Sequence, residues 1–163
     1  MVSEEELRQH CCCFTGHRPE KLNTSEKEVK AALHEQINQA IRDGLTVFIT
    51  GMARGIDLWA AEIVLDLRKN NKEIKLICAI PYDGFETRRS PSWQQLYRYV
   101  LAEADLKQVI SKGYHAGVYQ VRNKWMINHS SRVIAVFNGQ SGGTKNTIDY
   151  ANRQGVPVVL IEG

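Results

Sequence analysis

The chain has 163 residues, 43% hydrophobic and 24% charged, with 21 Lys and Arg against 18 Asp and Glu for a formal net charge of +3 at pH 7. That length suits a single domain over residues 1–163 with a self-sufficient core, and the composition excludes disordered and fibrous classes. The scattered positive excess does not by itself imply a polyanion partner, and an acidic start without any run near ~20 apolar residues predicts a cytoplasmic protein with no membrane partner.

The first patterned stretch is "HCCCFTGHRPEKL", His10 to Leu22. Cys11 to Thr15 is a short apolar run stopping at Gly16, which predicts a buried strand. Alternation on a strand puts Cys11 and Cys13 on one face and Cys12 on the other, so the three thiols cannot converge on one tetrahedral metal. No C-x-x-C pair exists, and buried cysteine packs as a small hydrophobe, so the cysteines are assigned to the core in reduced form and no metal is predicted. His10 is expected to be exposed at the strand start.

Next, Ser25 and Glu28 offer a capping box, Val29, Leu33, Ile37, Ala40 and Ile41 fall at helical spacing, and Gly44 closes the helix. "LTVFIT", Leu45 to Thr50, predicts the second strand. Ile56, Ala60, Ile63, Val64 and Leu67 mark a helix, and "IKLICAI" is a third strand ending at Pro81. Trp93, Leu96, Tyr97, Val100 and Leu101 give an amphipathic helix over 92–104, whose aromatic content makes it a candidate homodimer face. "KQVIS" is a weak strand, Val118 to Ser130 a helix, "RVIAVFN" a strand, Thr147 to Gln154 a helix and "VPVVLI" the last strand. His34 is expected to be solvated and His129 to cap a helix end. Trp59, Trp93 and Trp125 fall on helices and are assigned to packing.

Strands alternating with helices, several apolar on both faces, predict an α/β, Rossmann-like three-layer sandwich with a mostly parallel sheet. Ligands of such sheets bind beyond the carboxyl ends of the strands. The segments there are "TGHRPEKL", "TGMARGID", "PYDGFETRRS" and "NGQSGGTKNT". Glycine turns before helices let a backbone approach a ligand and present unpaired N–H groups, and phosphate is the natural guest. Gly51, Arg54 and Gly55 form one candidate cradle, Gly142, Gly143, Thr144 and Thr147 a second, and Thr15, Gly16, His17 and Arg18 line the first loop. Neither glycine loop fits G-x-G-x-x-G or a P-loop, which disfavours ATP hydrolysis and ordinary NAD oxidoreduction.

These residues together resemble the SLOG superfamily, most closely its YpsA-like branch, through "CFTGHRPEKL", "GMARGIDLWAAE", "AIPYDGFE" and "RNKWMINHSSRVIAVFNGQSGGTKNTIDYA". The order of motifs is also similar to that of the DNA-processing protein DprA, with its "GxARGID"-type turn, "RN" helix and "SG…T…A" loop. The LOG phosphoribohydrolases of the same superfamily carry an "RK…M" helix and a "PGGxGTxxE" loop. Arg122 and Met126 match that helix, while Thr147 and Asp149 fall at the threonine and catalytic glutamate. Ser141 replaces the proline, and the loop is one residue longer.

The resemblance implies a Rossmann-like fold that binds or senses a nucleotide-derived ligand of the ADP-ribose or NAD type, with no required cofactor. The alternative it implies is a nucleotide N-glycosidase, with Asp149 stabilising an oxocarbenium-like ribose or positioning water and Arg122 orienting an anion. DprA-like single-stranded DNA binding is a third reading, disfavoured by the lack of a long basic stripe. "TRRSPSWQQLYRY" is the one stretch that could supply a basic, aromatic groove.

Overall fold

The computed structural model describes residues 3–86 and 89–163. Its elements, in chain order, are α1 (Glu4–Arg8), β1 (Cys11–Gly16), α2 (Glu26–Arg42), β2 (Val47–Thr50), α3 (Ile56–Arg68), β3 (Lys75–Tyr82), α4 (Pro91–Glu103), β4 (Leu106–Ser111), α5 (Val118–Asn128), β5 (Arg132–Phe137), α6 (Gly143–Arg153) and β6 (Val158–Glu162). The six strands form one all-parallel sheet in the order β4-β3-β2-β1-β5-β6. The order reverses at β1, which pairs with β2 on one side and β5 on the other, so the topological switch point lies at the carboxyl end of β1. The α/β, Rossmann-like architecture expected from the alternating pattern is therefore present.

Two apolar clusters flank the sheet. Cys12 and Phe14 pack with α2, α3 and α4 on one face, and Cys11 and Cys13 pack with α5 and α6 on the other. The thiols thus divide between layers as strand alternation requires. Burial pushes Cys11 up to about 11 and Cys13 and Cys78 up to about 12, which keeps them protonated and unreactive near neutrality. Trp59 and Trp93 are buried on their helices, as is Tyr97, so α4 turns its aromatic rings inward and leaves Tyr99 exposed. At the end of α5, His129 Nδ1 meets the Trp125 carbonyl at 2.7 Å and its ring stacks on that indole, a capping role as anticipated.

Several boundaries differ from the sequence expectation. The third strand continues through Pro81 to Tyr82. β2 ends at Thr50, opposite Cys78, so beyond it one side of β3 has no ladder partner and a residue without an N–H is tolerated. The second strand starts at Val47 rather than Leu45, and the last helix starts four residues earlier than expected, at Gly143. Ser25 accepts from the Glu28 N–H at 3.2 Å, whereas both halves of a capping box occur at Ser3 and Glu6 on the unanticipated α1. No helix among the described residues is long and apolar enough to cross a membrane.

The two layers make the cysteines distinguishable. Cys11 Sγ donates to the Leu7 carbonyl at 3.2 Å, while Cys12 is fully buried, with its own chain's Cys13 carbonyl 3.8 Å away. Cys12→Ser is expected to cost about 1–3 kcal/mol in urea denaturation, because its hydroxyl gains no good acceptor. Cys11→Ser keeps an acceptor and should cost clearly less; equal losses would contradict this division.

Candidate functional site

Beyond the carboxyl ends of the strands lies a cleft of about 730 Å³. The β1 loop contributes Thr15, Gly16, His17, Arg18 and Lys21, and the β2–α3 turn contributes Ala53, Arg54 and Asp57. The α6 start contributes Gln140, Ser141, Gly142, Gly143 and Thr144. Helix α5 adds Tyr119, Gln120, Arg122 and Asn123, and the far wall is Phe85, Arg89 and Trp93. Of "PYDGFETRRS", Thr87 and Arg88 lie outside the described residues. They also begin the stretch "TRRSPSWQQLYRY".

The floor of the cleft holds two buried side chains of opposite charge. Asp57, in the first turn of α3, and Arg122, on α5, come from helices on opposite faces of the sheet and both approach Gly51, just beyond the end of β2. Arg122 Nη1 donates to the Gly51 carbonyl and Nε donates to Asn123 Oδ1 at 2.8 Å. Asp57 Oδ2 accepts the Ala53 N–H at 3.2 Å. A Cβ on Gly51 would lie 2.8 Å from Asp57 Oδ2 and 3.0 Å from Arg122 Cζ, so only glycine leaves room for both groups. Burial pushes the Asp57 carboxyl up to about 6, opposed by the Arg122 charge and the Ala53 N–H. Burial likewise lowers the Arg122 pKa, and the Asp57 charge partly offsets that.

Helix starts divide by the residue that precedes them. α2 and α4 are capped by Ser25 and Ser90, whereas α3, α5 and α6 follow Gly55, Gly117 and Gly142, which carry no capping side chain. Asp57 partly occupies the first of these turns. The start of α6 remains open to the cleft, with unpaired N–H groups of the first turn facing an electropositive surround.

The cleft carries Arg18, Lys21, Arg54, Arg89 and Arg122 against the single carboxylate Asp57. Arg54 is held by Glu20 at 2.6 Å, while the Arg18 and Lys21 side chains have no hydrogen-bond or ion-pair partner among the described residues. At the aromatic end, the Arg89 guanidinium lies 5.1 Å from the Phe85 ring centre and 5.8 Å from that of Trp93, and its Nη2 donates to Tyr119 Oη at 3.2 Å. His17 stacks on Phe137, and burial, with Lys21 nearby, lowers its pKa. His17 Nε2 and Trp93 Nε1 are buried without a protein partner. Both residues line the cleft.

The structure thus gathers Thr15, Gly16, His17, Arg18, Arg54, Arg122, Gly142, Gly143 and Thr144 on one cleft. It places four expected site residues elsewhere. Gly51 supports the charge pair from below, and Gly55, at φ +91°, abuts Pro19, where a Cβ would meet the ring at 2.7 Å. Thr147 is buried, its hydroxyl donating to the Gly143 carbonyl at 2.9 Å inside α6. Asp149 points away from the cleft into a shallower depression and pairs with Lys145 at 2.8 Å. The α6 face that turns inward carries Thr144, Thr147, Ile148 and Ala151, which leaves Asp149 on the outer side. Asp57 escaped the sequence reading; the signal was an acid in the first turn of a helix, "IDLWAAEIVL", whose only other polar residue over Ile56 to Leu65 is Glu62.

A family model described as the YspA SLOG family matches residues 12–160. A UPF0398 protein of Lactiplantibacillus plantarum is 31% identical over 145 residues, 84% of this chain and 76% of that protein. A UPF0398 protein of Bacillus cereus is 25% identical over 150 residues, 86% of this chain and 82% of that protein. Among solved structures, DNA processing protein A of Streptococcus pneumoniae superposes with a TM-score of 0.66 at 20% identity, covering 96% of this chain and 52% of that one. The Helicobacter pylori protein of the same name, described for its single-stranded DNA binding mode, superposes at 0.68 with 16% identity, covering 99% and 70%. The chain spans about half the length of the pneumococcal protein, and at these identities the likeness is one of fold.

Two outcomes follow from the floor of the cleft. An acid with a raised native pKa holds its proton where the unfolded chain has lost it, so this group's contribution falls between about pH 4 and about pH 6 and is level above. Thermal melts of wild type and Asp57→Asn across that range should show the difference, variant minus wild type, rising with pH; a flat difference would refute the buried ionisation. Gly51→Ala is expected to destabilise by about 1–3 kcal/mol through displacement of both charged groups, read by denaturant titration.

Proposed function

The chain belongs to the YspA SLOG family, and we propose that it binds or senses a nucleotide-derived ligand, of the ADP-ribose or NAD type, in the cleft at the switch point. One observation carries this reading: the uncapped start of α6 opens into a cleft where Arg18, Lys21, Arg89 and Arg122 surround a single carboxylate. A phosphate at Gly142, Gly143 and Thr144 would gain N–H donors and flanking cations, as phosphates do at helix starts. The opposite end offers a base Tyr119 and the Arg89 guanidinium, which lies over the buried Phe85 and Trp93 rings.

A second reading, single-stranded nucleic acid, is favoured by the aromatic path out of the cleft. Tyr82 lies 6.3 Å from Tyr119 and 5.7 Å from Tyr114, whose side chain is 70% exposed. Basic lining with stepped aromatic rings suits successive bases, and a structural neighbour is described for that binding mode. Cleavage of an N-glycosidic bond would draw on Asp57, the carboxylate that lines the cleft, rather than Asp149.

Calorimetric titration with AMP, ADP-ribose, NAD and a short oligothymidylate, with chromatography for released base, tests these readings. Saturable binding of a mononucleotide or dinucleotide, weakened about tenfold in Arg18→Ala and in Lys21→Ala, is expected. Binding of the oligonucleotide alone would transfer the site to the second reading, and the absence of any binding would overturn both. Base release lost in Asp57→Asn would make the protein a hydrolase.

A further inference from the structure

Beside the cleft, between α5 and α6, lies a second depression of about 240 Å³, lined only by polar and charged side chains: Gln120, Lys124, Asn146, Asp149 and Arg153. Gln120 lines both hollows, and its side-chain amide has no hydrogen-bond partner among the described residues. Its Nε2 stands 3.6 Å from where a Cβ on Gly143 would be, so it sits at the rim between the open start of α6 and the depression.

The charges here are unbalanced. Lys124 Nζ lies 5.4 Å and the Arg153 guanidinium 5.9 Å from the centre of the same Tyr150 ring. The ring's quadrupole attracts each cation but does not cancel two full charges. Neither cation has an ion-pair partner among the described residues, because the one acid present, Asp149, is taken by Lys145 at 2.8 Å. Two unpaired cations and an unpaired amide around a hollow make a receptor for an anion.

We infer that this depression is a second phosphate subsite, and that the ligand carries a phosphate separated by a sugar from the phosphate held at α6. The inference rests on the nucleotide reading of the cleft. The two phosphates of a pyrophosphate share a bridging oxygen and would crowd into one cradle. A phosphate reached across Gln120 belongs instead on another position of the ribose, as in a nucleoside 3′,5′-bisphosphate or the next link of a dinucleotide. Gln120 then spans the intervening sugar, Asn146 and Lys124 meet the outer phosphate, and Arg153 closes the far side.

The test compares adenosine monophosphate, adenosine 3′,5′-bisphosphate and the dinucleotide pApA by calorimetry on wild type, Lys124→Gln/Arg153→Gln and Asp149→Asn. Wild type is expected to bind at least one two-phosphate ligand about tenfold tighter than the monophosphate. The double variant should lose that gain with monophosphate affinity unchanged, and Asp149→Asn, which frees Lys145, should enlarge it. A gain confined to the bisphosphate assigns a free nucleotide, and one confined to pApA assigns a strand. Monophosphate binding without any gain, or a gain that survives in the double variant, overturns this subsite and leaves the cleft reading standing. Failure of all three ligands to bind overturns this subsite, and the titration with ADP-ribose and NAD then decides the cleft reading separately.

Discussion

A carboxylate and a guanidinium held against one glycine govern this architecture. Asp57 comes from the helical layer on one face of the sheet and Arg122 from the layer on the other, and both come close to the end of β2 only because Gly51 presents no side chain there. Each would be costly to bury alone, and their attraction, the Gly51 carbonyl and the Ala53 N–H offset that cost. The hydrogen bond from Arg122 to the Gly51 carbonyl therefore ties α5 to the end of β2. It also fixes the floor on which any ligand rests.

Around this floor, side chains and backbone divide the work. Serine satisfies the first turn of α2 and of α4, whereas glycine before α5 and α6 leaves the first turn to other partners at the cleft. The same edge gathers cations from the β1 loop and an aromatic wall from the segment after β3. The positive and aromatic surfaces come from different strand ends, which explains why the chain has no continuous basic stripe although the cleft is electropositive.

The sheet was legible because its central strands are apolar on both faces, a pattern that few other structures produce. β4 was faint for the opposite reason: as an edge strand it exposes Lys107 and Gln108. The start of α6 was hidden because Gly-Gly-Thr-Lys has the composition of a loop, and only the geometry shows Gly142 closing the turn and Gly143 opening the helix. Arg18, His17 and Thr144 could be named from their positions after strands. Asp57 could not, since its importance arises from Arg122, a partner 65 positions away. Asp149 was matched by motif order, but helical rotation carries it to the outer side, next to Lys145.

The anion grip proposed at the first turn of α6 would have a consequence for divergence within the family. Main-chain donors are supplied by every residue type except proline, so drift in the surrounding side chains leaves them in place. They also bear no titratable proton, so this part of the grip holds equally in acid and in base. Selection on such a site would act mainly against bulk and proline at a few glycine positions.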